Sequence, residues 1–67
     1  MEVRSVAKAT RLLEELAKEP GTFGVSELAR VVEMDKSSVS RMLRTLEQAG
    51  FVAQDATTLR YSLGLSL

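Results

Sequence analysis

Between Met34 and Phe51 the chain reads MDKSSVSRMLRTLEQAGF, which places Ser37, Ser38 and Ser40 within four consecutive positions, adds Lys36, Arg41 and Arg44, and holds back any acid after Asp35 until Glu47. Serine is only a middling helix former, so intrinsic propensity does not ask for it there. Hydroxyls donate and accept hydrogen bonds, and a guanidinium presents a planar fork of donors. The chemistry of such a set is non-covalent recognition of anions and polar edges. Bond-breaking chemistry has no support. Histidine and cysteine are both absent, which excludes imidazole and thiol catalysis, disulfides and the ordinary zinc sites. Glu14 and Glu15 are adjacent, so on a helix they point about 100° apart and form no acid/base pair. Lys36 beside Ser37 offers neither a buried base nor an oxyanion pocket. The expectation is a non-enzyme without cofactor or metal.

The elements that carry these residues follow from pattern and punctuation. Residues 36–49 read as a helix, with Asp35 placed to cap its start and Gly50 just past its end. Residues 5–19 read as an amphipathic helix of about four turns. Its apolar stripe is Val6, Ala9, Leu13, Leu16 and Ala17, Ser5 is able to cap it, and Pro20-Gly21 ends it. Glu14 and Lys18, and Arg11 and Glu15, are i, i+4 pairs on its solvated face. Leu12 lies about 100° off the stripe; it either widens the core face or meets a partner subunit.

Residues 22–25 suit no more than a two- or three-residue strand. Ser26 then reads as the cap of a second helix, ELARVV, barely two turns long and so apolar that neighbours must pack it. Residues 33–35 are a tight connection. Beyond Gly50, residues 51–54 and 59–63 read as strands around a loop at residues 55–58, the second alternating Leu59, Tyr61 and Leu63 with Arg60 and Ser62.

On the third helix, Val39, Met42, Leu43 and Leu46 fall near one line, the expected core seam. The opposite line holds Ser37, Arg41, Arg44 and Gln48, flanked by Ser40 on one side and Thr45 and Ser38 on the other. A major groove about 12 Å wide admits a helix whose leading residues are small. Hydroxyls and helix N-terminal N–H groups there meet phosphate oxygens or base edges, and arginine can grip guanine O6 and N7. The bland alternative for this face is a merely soluble helix surface. Two-turn helix, short connection and exposed third helix together make a helix-turn-helix. The hairpin makes it winged, with Thr57, Thr58 and Arg60 as candidates for flanking contacts. The fold expected is therefore mainly α with a small β-sheet: three helices plus a C-terminal hairpin wing.

A chain of 67 residues is one domain at most, and without disulfide or metal its core must be simple. Nine cations balance nine acids for zero net charge, so any affinity for nucleic acid has to come from local distribution. Residues 1–34 hold five cations and six acids, whereas residues 36–46 hold three cations and no acid. No apolar run approaches the roughly 18 residues of a membrane span, and the start MEVRSVAK lacks the apolar stretch of a secretory signal. A soluble cytoplasmic protein is expected.

Ser5-Val6 opening a helix with Leu12-Leu13, then SELARVVEMDKSSVSRMLRTLEQAGFV, then LRYSLG, closely resemble the N-terminal winged helix-turn-helix domain of the IclR family of bacterial transcriptional regulators. The resemblance spans residues 5–64 and rests on Leu28-Ala29, Lys36-Ser37, Val39, Leu43, Leu46, Gly50 and Tyr61-x-Leu-Gly64 in combination. It implies sequence-specific binding to an operator in double-stranded DNA by the third helix, and a homodimer pairing through the N-terminal helix region, where Val6 and Leu12 lie. With the cap Ser26, the expected DNA-facing set is Ser26, Lys36, Ser37, Ser38, Ser40, Arg41, Arg44, Thr57, Thr58 and Arg60. Three positions depart from the family pattern. Glu33 stands where glycine is usual in the turn, Asp35 where proline is frequent, and Leu59 where the wing usually has glycine in a more basic hairpin. The resemblance also implies a larger effector-binding domain. Residues 1–64 are then the DNA-binding domain and residues 65–67 the start of a linker towards that absent domain, with any small-molecule effector bound there. The rival reading is a winged helix used for protein association without reading DNA.

Overall fold

The computed structural model describes residues 4–64. Leu12 and Leu16 stand one turn apart on helix α1 (Arg4–Leu16) and are almost wholly removed from solvent. They form its side of the core. The stripe expected from the sequence is therefore rotated: Leu13 is only partly buried, and Val6 and Ala17 are exposed. Leucines at i and i+4 offer more apolar area than the line through Ala9 and Ala17, so the heavier line turns inward. The helix already includes Arg4, the first described residue, which puts Ser5 inside it rather than ahead of it, and ends at Leu16, short of Glu19. Its exit tightens, with the Ala17 N–H shared between the Leu13 and Glu14 carbonyls at 3.2 Å and the Lys18 N–H on Glu15 at 3.1 Å. Pro20 disfavours helical backbone at Glu19, and Gly21 takes a left-handed turn at φ 87°.

Helix α2 (Val25–Val32) is capped by Gly24 and not by Ser26, which lies within its first turn. Glu27 supplies the reason: its Oε1 accepts the Gly24 N–H at 2.8 Å, the reciprocal half of a capping box. Leu28, Ala29 and Val32 are buried, as so apolar a short helix requires.

Helix α3 (Lys36–Gln48) leads through Gly50, at φ 87°, into β1 (Val52–Gln54), which pairs antiparallel with β2 (Tyr61–Leu63) in the register Val52 to Leu63 and Gln54 to Tyr61. The pairing extends one step towards the tip through the Asp55 N–H on the Arg60 carbonyl at 2.9 Å. Phe23 exchanges both backbone bonds with Tyr61, at 2.9 and 2.8 Å. The short strand expected at residues 22–25 is thus a single bridge on the far side of β2.

Leu28, Ala29 and Val32 of α2, Val39 and Leu43 of α3, Val52 and Tyr61 close the core around Leu12 and Leu16. Each fully buried aliphatic side chain contributes about 1.5–3 kcal/mol. In β2 only Tyr61 is buried; Leu63, and Leu59 ahead of the strand, are exposed. The alternation read from the sequence faces a core only one residue wide at the wing.

Candidate nucleic-acid interface

The connection between α2 and α3 sets where the third helix points. Glu33 ends α2 in the left-handed region at φ 56°, ψ 48°, and its N–H bonds the Ala29 carbonyl. The Met34 N–H reaches the same carbonyl at 3.0 Å. From α1, Lys8 Nζ donates to the Val32 carbonyl at 3.0 Å, a cation on the negative end of a helix. Glutamate thus adopts a left-handed conformation that ordinarily favours glycine.

Asp35 then caps α3. Its Oδ2 accepts the Ser38 N–H at 3.0 Å and its Oδ1 the Ser38 hydroxyl at 2.7 Å. The Ser38 hydroxyl bond, then the Ser38 N–H, hold the carboxyl below the usual aspartate range, with Arg41 adding attraction. Val39 and Leu43 face the core, and Met42 and Leu46 pack beside them. Lys36, Ser37, Ser40, Arg41 and Arg44 all stand exposed. Among the described residues, none of the three cations enters an ion pair. Thr45 turns its hydroxyl back onto the Arg41 carbonyl at 3.1 Å.

The wing loop satisfies itself. Asp55 Oδ1 accepts the Thr58 and Thr57 N–H groups at 2.8 and 2.7 Å, and these two bonds, Thr58 first, depress its carboxyl. The Leu59 N–H meets the Asp55 carbonyl at 2.7 Å, and Gln54 Nε2 meets the Leu59 carbonyl at 3.1 Å. Leu59 is left-handed at φ 63° and exposed. Thr57 and Thr58 are presented to solvent, whereas Arg60 folds back along the sheet: Nη2 donates to the Thr22 carbonyl at 2.8 Å and pairs with Glu27 Oε1 at 3.0 Å. Sequence reasoning missed Thr22 and Glu27 as partners of Arg60. The capping spacing from Gly24 to Glu27 was a legible signal; the link to Arg60, across the chain, had none.

For the dimer positions the outcome divides. Leu12 is fully buried within its own chain and is not available to a partner; it widens the core, because the leucine pair with Leu16 is what α2 and the sheet close upon. Val6 is exposed. With Ala9, Leu13, Met42 and Leu46 it lines an apolar groove of about 460 Å³ between α1 and α3.

Three helices, a tight turn, a solvent-facing third helix with unpaired cations, and a hairpin define a winged helix-turn-helix. The description "IclR helix-turn-helix domain" matches residues 5–56. The regulator KdgR of Dickeya chrysanthemi is 42% identical over 65 residues, 97% of this chain and 21% of that protein. The transcriptional repressor IclR of Escherichia coli is 32% identical over 63 residues, 94% of this chain and 23% of that protein. Among solved structures, an IclR transcriptional regulator from Alicyclobacillus acidocaldarius superposes with a TM-score of 0.90 at 38% identity, covering 96% of this chain and 26% of that one. The Pseudomonas aeruginosa HmgR structure gives 0.83 at 44% identity, covering 92% and 26%. The chain belongs to the IclR helix-turn-helix family. It is a DNA-binding domain of the type carried by these transcriptional regulators and not an enzyme, and it spans roughly a fifth to a quarter of the length of the relatives named. Nothing in these likenesses favours the protein-association reading.

Proposed function

We propose that α3 lies in the major groove of an operator and reads it through Ser37, Ser40, Arg41 and Arg44. Lys36 and the N-terminal N–H groups of α3 then approach phosphate. Ser38, whose hydroxyl proton is given to Asp35, serves as an acceptor at the rim, and Ser26 stands near the backbone from α2. Thr57 and Thr58 bring the wing to the flanking strand. One observation carries the reading: the outer face of α3 exposes hydroxyls and unpaired guanidiniums on a helix whose start is fixed by Asp35. A fixed helix start holds donors where base edges require them.

Pairing of two copies through α1 is part of the proposal, supported by exposed Val6 at the edge of the apolar groove. No helix among the described residues is long and apolar enough to cross a membrane, which suits work on DNA in the cytoplasm.

The test is a titration of the isotopically labelled domain with mixed-sequence duplexes at low salt, followed amide by amide. Residues 36–48 and 57–58 shift, and Arg41→Ala or Arg44→Ala weakens binding by about 1–3 kcal/mol if the arginine is bidentate to a base. Absent shifts, or shifts confined to other faces, make protein association the leading reading.

A further inference from the structure

We propose that Arg60 is a positioning residue: it fixes the angle of the wing against the start of α2 and takes no phosphate itself. The inference rests on the DNA-binding reading. Its geometry is a three-point clamp. Nη2 holds the Thr22 carbonyl at 2.8 Å, Nε approaches the Thr22 hydroxyl at 3.3 Å, and Glu27 Oε1 lies 3.0 Å from Nη2. That same carboxylate oxygen accepts the Gly24 N–H at 2.8 Å. One atom therefore joins the cap of α2 to the base of the wing. The Gly24 N–H bond, ahead of the attraction of Arg60, holds Glu27 ionised below the usual range.

The neighbouring backbone gives the clamp a direction. Phe23 and Tyr61 exchange two hydrogen bonds in an antiparallel bridge, so Gly24 stands opposite Arg60 and the Arg60 side chain runs diagonally back across the bridge to reach Thr22. The guanidinium spans the gap that the main chain leaves open. A planar fork engaged on one side by a carbonyl and a carboxylate resists rotation in a way that an ammonium does not. Both partners are partly exposed, so the pair adds little to global stability; what it restricts is orientation.

Electrostatics points the same way. A guanidinium already neutralised by a carboxylate releases little counterion on meeting phosphate. The tip beyond it, residues 55–59, carries no cation at all. The wing contributes placement of Thr57 and Thr58 rather than charge.

The experiment compares wild type, Arg60→Ala, Arg60→Lys, Glu27→Gln and the Arg60→Ala/Glu27→Gln double variant. Glu27→Gln keeps an acceptor for Gly24 and removes the charge. Without DNA, the amide resonances of residues 56–60 are expected to move alike in Arg60→Ala and Glu27→Gln while the core resonances stay; an unmoved wing overturns the clamp whether or not the domain binds DNA. With a duplex selected by the wild-type domain, each single variant is expected to lose affinity roughly three- to tenfold, and the double variant no more than either alone. Arg60→Lys behaves as Arg60→Ala, and the salt dependence of binding keeps its slope. A slope reduced by about 0.9 in Arg60→Ala, binding retained in Arg60→Lys and tighter binding in Glu27→Gln would instead make Arg60 a phosphate contact. A wild-type domain that selects no duplex overturns the DNA reading and leaves the DNA-free measurement to judge the clamp.

Discussion

Glu33 and Leu59 are the two described non-glycine residues with positive φ, at 56° and 63°, and each stands where the resemblance read from the sequence leads one to expect glycine. A left-handed L-residue costs about 1–2 kcal/mol. Glycine removes that cost but enlarges the unfolded ensemble, at about 0.4–1 kcal/mol. Both side chains are exposed, so truncation sacrifices little packing. Glu33→Gly and Leu59→Gly should each stabilise the domain, by about 0.5–1 kcal/mol net of these terms, seen as a higher urea midpoint. A lower midpoint would mean that these side chains hold something beyond the backbone. The two departures were legible in the sequence as mismatches with a pattern. Whether the turn would change shape or keep it under strain was not, because that depends on how firmly Ala29, Lys8 and Asp55 hold the surrounding backbone.

Elements here are ended and joined by carboxylates. Asp35 caps α3, Asp55 knits the wing loop, and Glu27 accepts the N–H of Gly24, the cap of α2; all three are held below their ordinary values, chiefly by the N–H and hydroxyl groups that they accept. A depressed folded-state value means that the stabilising form is the ionised one. Its contribution is fully present above the unfolded carboxylate range, about pH 4, and is lost as pH falls through the lower folded values. Thermal stability should therefore be level from neutrality down to about pH 5 and decline below it. Asp35→Ala should lower the neutral value and flatten part of the acid decline; an unchanged acid profile would remove the cap from the account. Helix α3, its cap and the hairpin were readable because capping, periodicity and turn chemistry are local. The start of α2 was not, since Gly24 serves as cap only through Glu27. Pro20-Gly21 marked the end of α1, but the tightening of the last turn at Ala17 and Lys18, which stops the helix at Leu16, had no signal of its own.

At the scale of the molecule, one leucine decides which face of α1 turns to the core. Leu12 is fully buried where α1 meets the core, while Val6 on the same helix is exposed. Leu12→Ala should cost about 2–5 kcal/mol in urea unfolding. Val6→Ser should leave monomer stability within about 0.5 kcal/mol and, if two copies pair through α1, weaken self-association in sedimentation equilibrium. Loss of stability in Val6→Ser with Leu12→Ala neutral would invert the assignment of the two faces. The core seam of α3 was legible because one side of that helix is clearly polar. The choice between Leu12 and Leu13 on α1 was not, since both are leucine and only the placement of α2 and Tyr61 separates them.

The pairing of Arg60 with Glu27 also bears on the speed of target search. With no net charge and the wing cation already neutralised, long-range attraction to a polyanion is weak. First encounters should then proceed near the unassisted rate of about 10⁵–10⁶ M⁻¹s⁻¹. Residence of this isolated domain on random sequence should be brief, which a competition measurement with mixed-sequence duplexes would read. Discrimination between sites then resides in how slowly the correct one lets go.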